Sequence, residues 1–324
     1  MLRLLLLFSL LISSASAQTW QADQPLNTER ANFALVSVGS SLLAIGGTSD
    51  PSGSTALANL EILDTSTPLA QWSVRNFPPQ VTPVYGAACT VLDGFVFRFG
   101  GIVGSGFALT DEVWRYDPST DNWTAMTSMP TPRCLQGVFQ ANGLIYLIGG
   151  REPGWTFKTD VWIYDPSKED GNPSLSPWSN GAPMPEACEP FVLGYKGDAY
   201  LLGRYTGANE VEKEIWRYRA SDDHGNTTSA WWTVGQIPSN DFGYAWVRHQ
   251  DNVFLVGGRT DSAGHAARVD TVHALNLNNL QWTMGPVYPL AVDGMQLASV
   301  GGILYGAGGM LTGSDFTANV YRLQ

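Results

Sequence analysis

The chain has 324 residues, 44% hydrophobic and 15% charged, enough apolar material for a large core and unlike a disordered, highly charged polymer. With 18 Lys and Arg against 29 Asp and Glu, the net charge of −11 opposes attraction to a nucleic-acid backbone or an anionic membrane surface. The 35 Gly and 19 Pro imply many turns and favour short strands over long helices.

In chain order, the first segment runs Met1-Leu2-Arg3, an apolar stretch from Leu4 to Ile12, then small residues ending Ala15-Ser16-Ala17. A basic start, a short apolar run and an Ala-x-Ala close are the parts of a secretory signal peptide. The stretch is too short to span the roughly 30 Å apolar layer of a bilayer. Residues 1–17 are therefore expected to be a signal peptide, residues 18–324 the mature domain, and the protein secreted, with no membrane span. In an oxidising compartment the three cysteines, Cys89, Cys134 and Cys188, allow at most one internal bridge. Asn226-Thr227-Thr228 and Asn122-Trp123-Thr124 are candidate N-glycan acceptors, so a glycoprotein is expected.

Beyond the leader, an apolar run closing on a Gly-Gly doublet recurs: LAIGG (Gly46), FRFGG (Gly100), YLIGG (Gly149), FLVGG (Gly257) and YGAGG (Gly308), with a degenerate copy YLLGR (Gly203). The steps between first glycines are 54, 49, 54, 54 and 51 residues. After each of the first five copies a strand-like run, mostly carrying an aromatic, and a polar turn lead to a tryptophan: LEILD to Trp72, VWRYDPSTDN to Trp123, VWIYDPSK to Trp178, IWRYRASDD to Trp231 and Trp232, VHALNLNN to Trp282. Apolar runs of about 4–6 residues bounded by Gly, Asp, Asn and Pro suit short strands, four per period.

This Gly-Gly, aromatic, Trp pattern resembles the kelch repeat over nearly all of the mature chain. The resemblance implies an all-β fold, a six-bladed kelch-type β-propeller in which each period of about 50 residues is one four-stranded blade. With the strands of a blade lettered a to d from the axis outward, the doublet ends strand b, the aromatic run is c and the tryptophan marks d. The last copy stops in strand c at Gln324, and Gln18-Thr19-Trp20 resembles Gln281-Trp282-Thr283, so the N-terminal strand is expected to complete the last blade.

In kelch proteins the d-to-a connections and b-to-c loops usually form the binding face. Sixteen residues before each first glycine stand Arg30, Val84, Arg133, Ala187, Asp241 and Val292, and one later Ala31, Tyr85, Cys134, Cys188, Phe242 and Asp293. The residues expected to bind ligand on this face are Arg30, Tyr85, Arg133 and Arg151, together with Trp155, Arg204, Tyr205 and Arg259. Arginine can grip a carboxylate or phosphate with two parallel hydrogen bonds, and an aromatic can stack on a flat group. Cys134 and Cys188 occupy equivalent columns of adjacent blades, which makes a disulfide conceivable, although neighbouring inner strands often lie too far apart for one. The alternative for these polar loops is ordinary solvation, with arginines paired to nearby carboxylates.

His224, His249, His265 and His273 show no metal-ligand spacing, and no C-x-x-C occurs, so neither a metal nor another cofactor is expected. The secreted copper oxidases with kelch-like repeats need two Tyr, two His and a Tyr-Cys crosslink, a set this sequence does not match. The E-x-x-x-D-x-x-x-H iron motif of plant specifier proteins is also missing. The secreted sialic acid mutarotase is similar in architecture, but none of its active-site segments is matched. The leading expectation is a monomeric, secreted binding module that takes a protein, glycan or small ligand at the axial mouth. The alternative is a cofactor-independent mutarotase, isomerase, lyase or cyclase using Glu189, Asp241 or Asp293 as acid or base.

Overall fold

The computed structural model describes residues 18–169, 176–207, 211–223, 225, 230–239, 241–260, 267–313 and 315–324. The expected signal peptide, Asn226, His224 and His265 lie outside them. Among the described residues there are twenty-six strands, and six four-stranded antiparallel sheets account for all but two of them. Blade 1 is β2 (Ala34–Val38), β3 (Ser41–Ile45), β4 (Asn59–Asp64) and β5 (Ser73–Asn76). Blade 2 is β6 (Ala88–Leu92), β7 (Phe95–Phe99), β8 (Val113–Asp117) and β9 (Asn122–Met126). Blade 3 is β10 (Gly137–Ala141), β11 (Leu144–Ile148), β14 (Val161–Tyr164) and β15 (Trp178–Asn180), with a small hairpin, β12 (Arg151–Glu152) and β13 (Thr156–Phe157), in its b-to-c loop. Blade 4 is β16 (Glu189–Tyr195), β17 (Asp198–Tyr205), β18 (Glu212–Arg219) and β19 (Trp231–Gln236). Blade 5 is β20 (Ala245–His249), β21 (Asn252–Val256), β22 (Val272–Asn276) and β23 (Gln281–Met284). Blade 6 is β24 (Gln296–Val300), β25 (Ile303–Ala307), β26 (Val320–Leu323) and, from the other end of the chain, β1 (Trp20–Ala22).

The expected closure is observed: Trp20 pairs with Leu323 and Ala22 with Tyr321, so both ends of the described chain share blade 6. Innermost strands contact their neighbours all the way round, from β2 through β6, β10, β16, β20 and β24 and back to β2. A closed ring of this kind leaves only short edges at the rim.

Strand b is nearly continuous in apolar residues because blades pack on both of its faces: in β3, β7, β11, β21 and β25 every residue after the first is buried. Strand d is largely exposed, and its tryptophan is the anchor. The indole N–H of Trp20, Trp72, Trp178, Trp231 and Trp282 donates to a carbonyl of the preceding blade, at Pro286, Gln24, Thr127, Ala182 and Gln236 respectively, over 2.9–3.2 Å. Trp123 instead meets Phe77 of blade 1 edge-on at 5.3 Å. The doublet has its own role: a Cβ on Gly46 would lie 2.5 Å from the carbonyl oxygen of Val84 in the next blade, and φ there is +59°. Glycine alone tolerates both demands.

Blade 4 departs from the pattern. The second glycine of a doublet donates to the residue at the head of the next blade, Gly47 to Val84, Gly101 to Arg133, Gly258 to Val292 and Gly309 to Arg30, and the blade 3 doublet (Gly150) selects Cys188 rather than Ala187. A register irregularity between Pro190 and Val192 accompanies this one-residue shift. Glu189, not Cys188, is therefore the counterpart of Cys134, which corrects the alignment read from the glycines. All three cysteines are free. Cys188 sits against Met184 at 3.8 Å, and burial pushes the Cys134 and Cys188 thiols up to about 12. Cys89 is half-buried.

Candidate functional site at the axial mouth

A belt of backbone hydrogen bonds rings the mouth. Leu135 donates to Gly86, Gly86 to Asn32, Asn32 to Gly294 and Gly294 to Gly243, each in the left-handed region with φ between +52° and +72°. Blade 4 places Pro190 in this ring, and proline has no N–H to give. No backbone bond of this series crosses either side of blade 4 among the described residues. Side chains bind the blade 4–5 seam instead: Trp246 Nε1 donates to the Val192 carbonyl at 2.8 Å, and the Tyr244 hydroxyl to that of Leu202.

At the blade 3–4 seam stands an ion pair. Arg151 Nε donates to Glu189 Oε1. Glu189 is 5% exposed, and burial pushes its carboxyl up to about 7 despite the opposing pull of Arg151. The β12–β13 hairpin sets Arg151 opposite Phe157, and the guanidinium carbon lies 4.3 Å from the Phe157 ring centroid, 5.3 Å from Trp155 and 5.5 Å from Tyr205. No described residue accepts from its two Nη groups, so this cation is walled by aromatics, anchored through Nε and open at its far end.

The aromatic wall continues around the mouth. Phe107 of blade 2 meets Trp155 at 5.9 Å, Phe157 meets Tyr205 at 5.8 Å, and Tyr205 meets Phe242 of blade 5 at 4.9 Å. Arg259 lies over Phe242 at 4.9 Å and pairs through Nη1 with Asp293 at 3.0 Å, while Arg268 Nε donates to the other oxygen of Asp293 at 2.7 Å.

Of the residues expected on this face, Arg151, Trp155 and Tyr205 come together, with Arg259 farther along the same arc. Arg30, Arg133 and Arg204 do not join them. Arg30 is fully buried, with Nη1 on the Gly46 carbonyl at 2.9 Å and Nη2 on Glu61 at 2.5 Å. Arg133 is buried on the Gly149 carbonyl, Glu152 and Asp160 and lies 4.1 Å from the Trp162 ring centroid. Arg204 binds Glu214 and Glu186 and lies 3.9 Å from the Trp216 ring. These three arginines clasp the d-to-a connection to the start of strand c inside a blade, and a carboxylate of the repeat occupies the place expected for a ligand. Tyr85 is also engaged, its hydroxyl donating to the Gly53 carbonyl at 3.0 Å.

The three carboxylate candidates also separate. Asp293 is held by two arginines, Asp241 accepts from the Ser239 hydroxyl in its own turn, and Glu189 keeps a single cationic partner and an elevated carboxyl. Phe157, Phe107 and Arg268 were not among the expected residues. Phe157 was findable through the short alternation that faces it to Arg151, whereas Phe107 and Arg268 arrive through loops with no local signal. Among the described residues no group of three or more His, Cys, Asp or Glu is placed to hold a metal.

Comparison with known proteins fits this architecture. The profile of the KLHDC2/KLHL20/DRC7 Kelch-repeats domain matches residues 3–180. Kelch-like protein terF of Aspergillus terreus is 26% identical over 77% of this chain and 56% of its own length. Kelch-like protein 40 of Xenopus laevis is 24% identical over 61% of this chain and 30% of its own, and Kelch domain-containing protein 10 of the same frog is 26% identical over 60% and 48%. The chain thus spans about half or less of these relatives. A solved structure titled "Structure of YjhT" superposes with a TM-score of 0.75, covering 93% of this chain and 99% of that one at 14% identity, a likeness of fold alone.

Proposed function

The chain belongs to the KLHDC2/KLHL20/DRC7 Kelch-repeats domain family, and we propose that it is a secreted, monomeric binding module whose mouth at blades 3 and 4 takes the carboxylate of a protein, glycan or small-molecule ligand. The carrying observation is Arg151: Glu189 fixes its Nε side, three aromatic rings fix its plane, and its two Nη groups have no acceptor among the described residues. A guanidinium presented in this way matches a carboxylate with two parallel hydrogen bonds, and Trp155, 38% exposed, offers a face for the body of the ligand.

The test is thermal stabilisation by sugar acids and small aromatic acids, read beside Arg151→Ala and Trp155→Ala. A ligand at 100 times its dissociation constant stabilises by about 2.7 kcal/mol. Stabilisation present in the parent and lost in Arg151→Ala supports the reading, and a shift that survives both substitutions overturns it.

The elevated carboxyl of Glu189 favours a second reading, in which the same mouth moves a proton on a bound sugar or acid without a cofactor. Turnover separates the two: a ligand converted by the parent and bound but not converted by Glu189→Gln supports the second reading, and a ligand that binds the parent without being converted supports the first.

A further inference from the structure

On the face opposite the mouth, a cleft of about 320 Å³ opens between blades 4 and 5, walled by Leu193, Ile215, Val253, Leu275, Leu280 and Trp282. Its origin lies in one pair of repeat positions. In blades 2, 3 and 4 the strand c residue paired with the strand d tryptophan is a tyrosine: Tyr116 with Trp123, Tyr164 with Trp178, Tyr218 with Trp231. Each hydroxyl donates to a carboxylate five residues on, at Asp121, Glu169 and Asp223. In blade 5 the residue paired with Trp282 is Leu275, and five residues on stands Leu280, which is 66% exposed. Ring and acceptor are replaced together, so the space is unfilled and its rim apolar.

Leu63 and Leu323 also replace the tyrosine in blades 1 and 6, but there the tryptophan is either buried or has an aromatic partner. Trp72 is 4% exposed, and Trp20 has Tyr288 edge-on at 4.9 Å. Trp282 is half-buried and has no aromatic partner among the described residues, so part of its surface is open to the cleft. Cations stand at the blade 4 side. Arg217, in the lining, uses Nε and Nη2 on Asp198 and has no described acceptor for Nη1. Lys196 and Arg248 lie 5.0 and 4.9 Å from the ring of Tyr195, another lining residue. Among the described residues, Asp198 pairs with Arg217 and Asp251 lies beside the lining residue Leu277, against the three cations Arg217, Lys196 and Arg248 on a chain of net charge −11.

We propose that this cleft is a second ligand site, independent of the mouth, which takes a small aromatic anion: a flat ring system against Trp282 in the space the tyrosine ring fills elsewhere, with its carboxylate or sulfonate toward Arg217. The volume suits one such molecule, since small-molecule pockets run from about 300 to 1,000 Å³.

The probe is 8-anilinonaphthalene-1-sulfonate, titrated by fluorescence against the full chain, with naphthalene-2-carboxylate as competitor and 2-naphthalenemethanol as its neutral counterpart. In the Arg151→Ala background, which removes the anion grip of the mouth, the expected result is one saturable site, displaced by the carboxylate and at least tenfold more weakly by the alcohol. Leu275→Tyr/Leu280→Asp rebuilds the pair of blades 2 to 4, and it should weaken probe binding at least tenfold without lowering the melting temperature. Val253→Phe fills the cleft from strand b and serves if the double variant folds poorly. Unsaturable uptake, or uptake that survives a well-folded filling variant, overturns the site, and equal competition by the alcohol overturns its preference for anions. A component present in the parent and lost in Arg151→Ala belongs to the mouth, whereas the component removed by the filling variants belongs to the cleft, so the two sites fail or stand separately.

Discussion

Arg151 of blade 3 and Glu189 of blade 4 are joined through Nε and Oε1 across a seam that carries no bond of the backbone ring at the mouth. Pro190 removes the N–H that blades 1, 2, 3 and 6 use, and the residue before it supplies the carboxylate that ties the seam. The same exchange leaves a carboxyl buried in the ring and a guanidinium whose two Nη groups meet no acceptor among the described residues.

The pH dependence of stability should report Glu189. Its folded carboxyl sits at about 7, above the ordinary 4.5, so between these values the folded state holds the proton more tightly than the unfolded chain. Its contribution is fully present below about 4.5 and is lost as pH rises through about 7, with a slope approaching roughly 1.4 kcal/mol per pH unit inside the window. Melting followed from pH 4.5 to 8 should fall in the parent, and Glu189→Gln should flatten that part of the curve. An equal slope in both would assign it to other groups.

The clasp arginines should behave as buried pairs. The side chains of Arg30 and Glu61 are both fully buried, and Glu61 also accepts from the backbone N–H of Asn27 and Thr28. Glu61→Ala leaves a buried guanidinium without its charge partner and should cost about 3–5 kcal/mol by denaturant unfolding. Arg133→Ala should likewise destabilise the fold, whereas Arg151→Ala should act mainly on binding, because burial already favours the neutral form of the Glu189 carboxyl it leaves behind.

Blade 6 is closed by the N-terminal strand, and Trp20 is its anchor, with Nε1 on the Pro286 carbonyl at 3.0 Å and Tyr288 against its ring. Trp20→Ala should destabilise by about 3 kcal/mol, near the low end for a large aromatic, because Trp20 is only partly buried. Limited proteolysis should then cut first next to β1 and β26. A variant with unchanged melting and cleavage would mean that closure rests on the backbone pairing alone.

Secretion has a direct readout. Asn122 is exposed on the outer strand of blade 2. Expressed in a eukaryotic secretory host, the protein should reach the medium starting at Gln18 and lose mass on glycosidase treatment, with Asn122→Gln removing part of the shift. Retention in the cell with residues 1–17 still attached would refute the signal-peptide reading.

The repeat was legible because its residues answer to local physics that recurs in every blade. A glycine is required where Gly46 passes under the Val84 carbonyl, and a tryptophan where an outer strand must bind the preceding blade, so both recur about every 50 residues and reveal blade number and closure. The arginines could not be sorted that way. Arg30, Arg133 and Arg151 are chemically alike in the sequence, and only the fold brings Glu61 to Arg30 and Asp160 to Arg133 while leaving Arg151 among rings from two blades. The shift in blade 4 was hidden for a similar reason, since a bulge changes which residue faces the mouth without changing the spacing of the glycines enough to show it. Sequence alone determined the architecture, through constraints each blade satisfies internally or against the next. Tertiary structure decided the site, because a charged side chain takes its role from the partners that other blades bring to it.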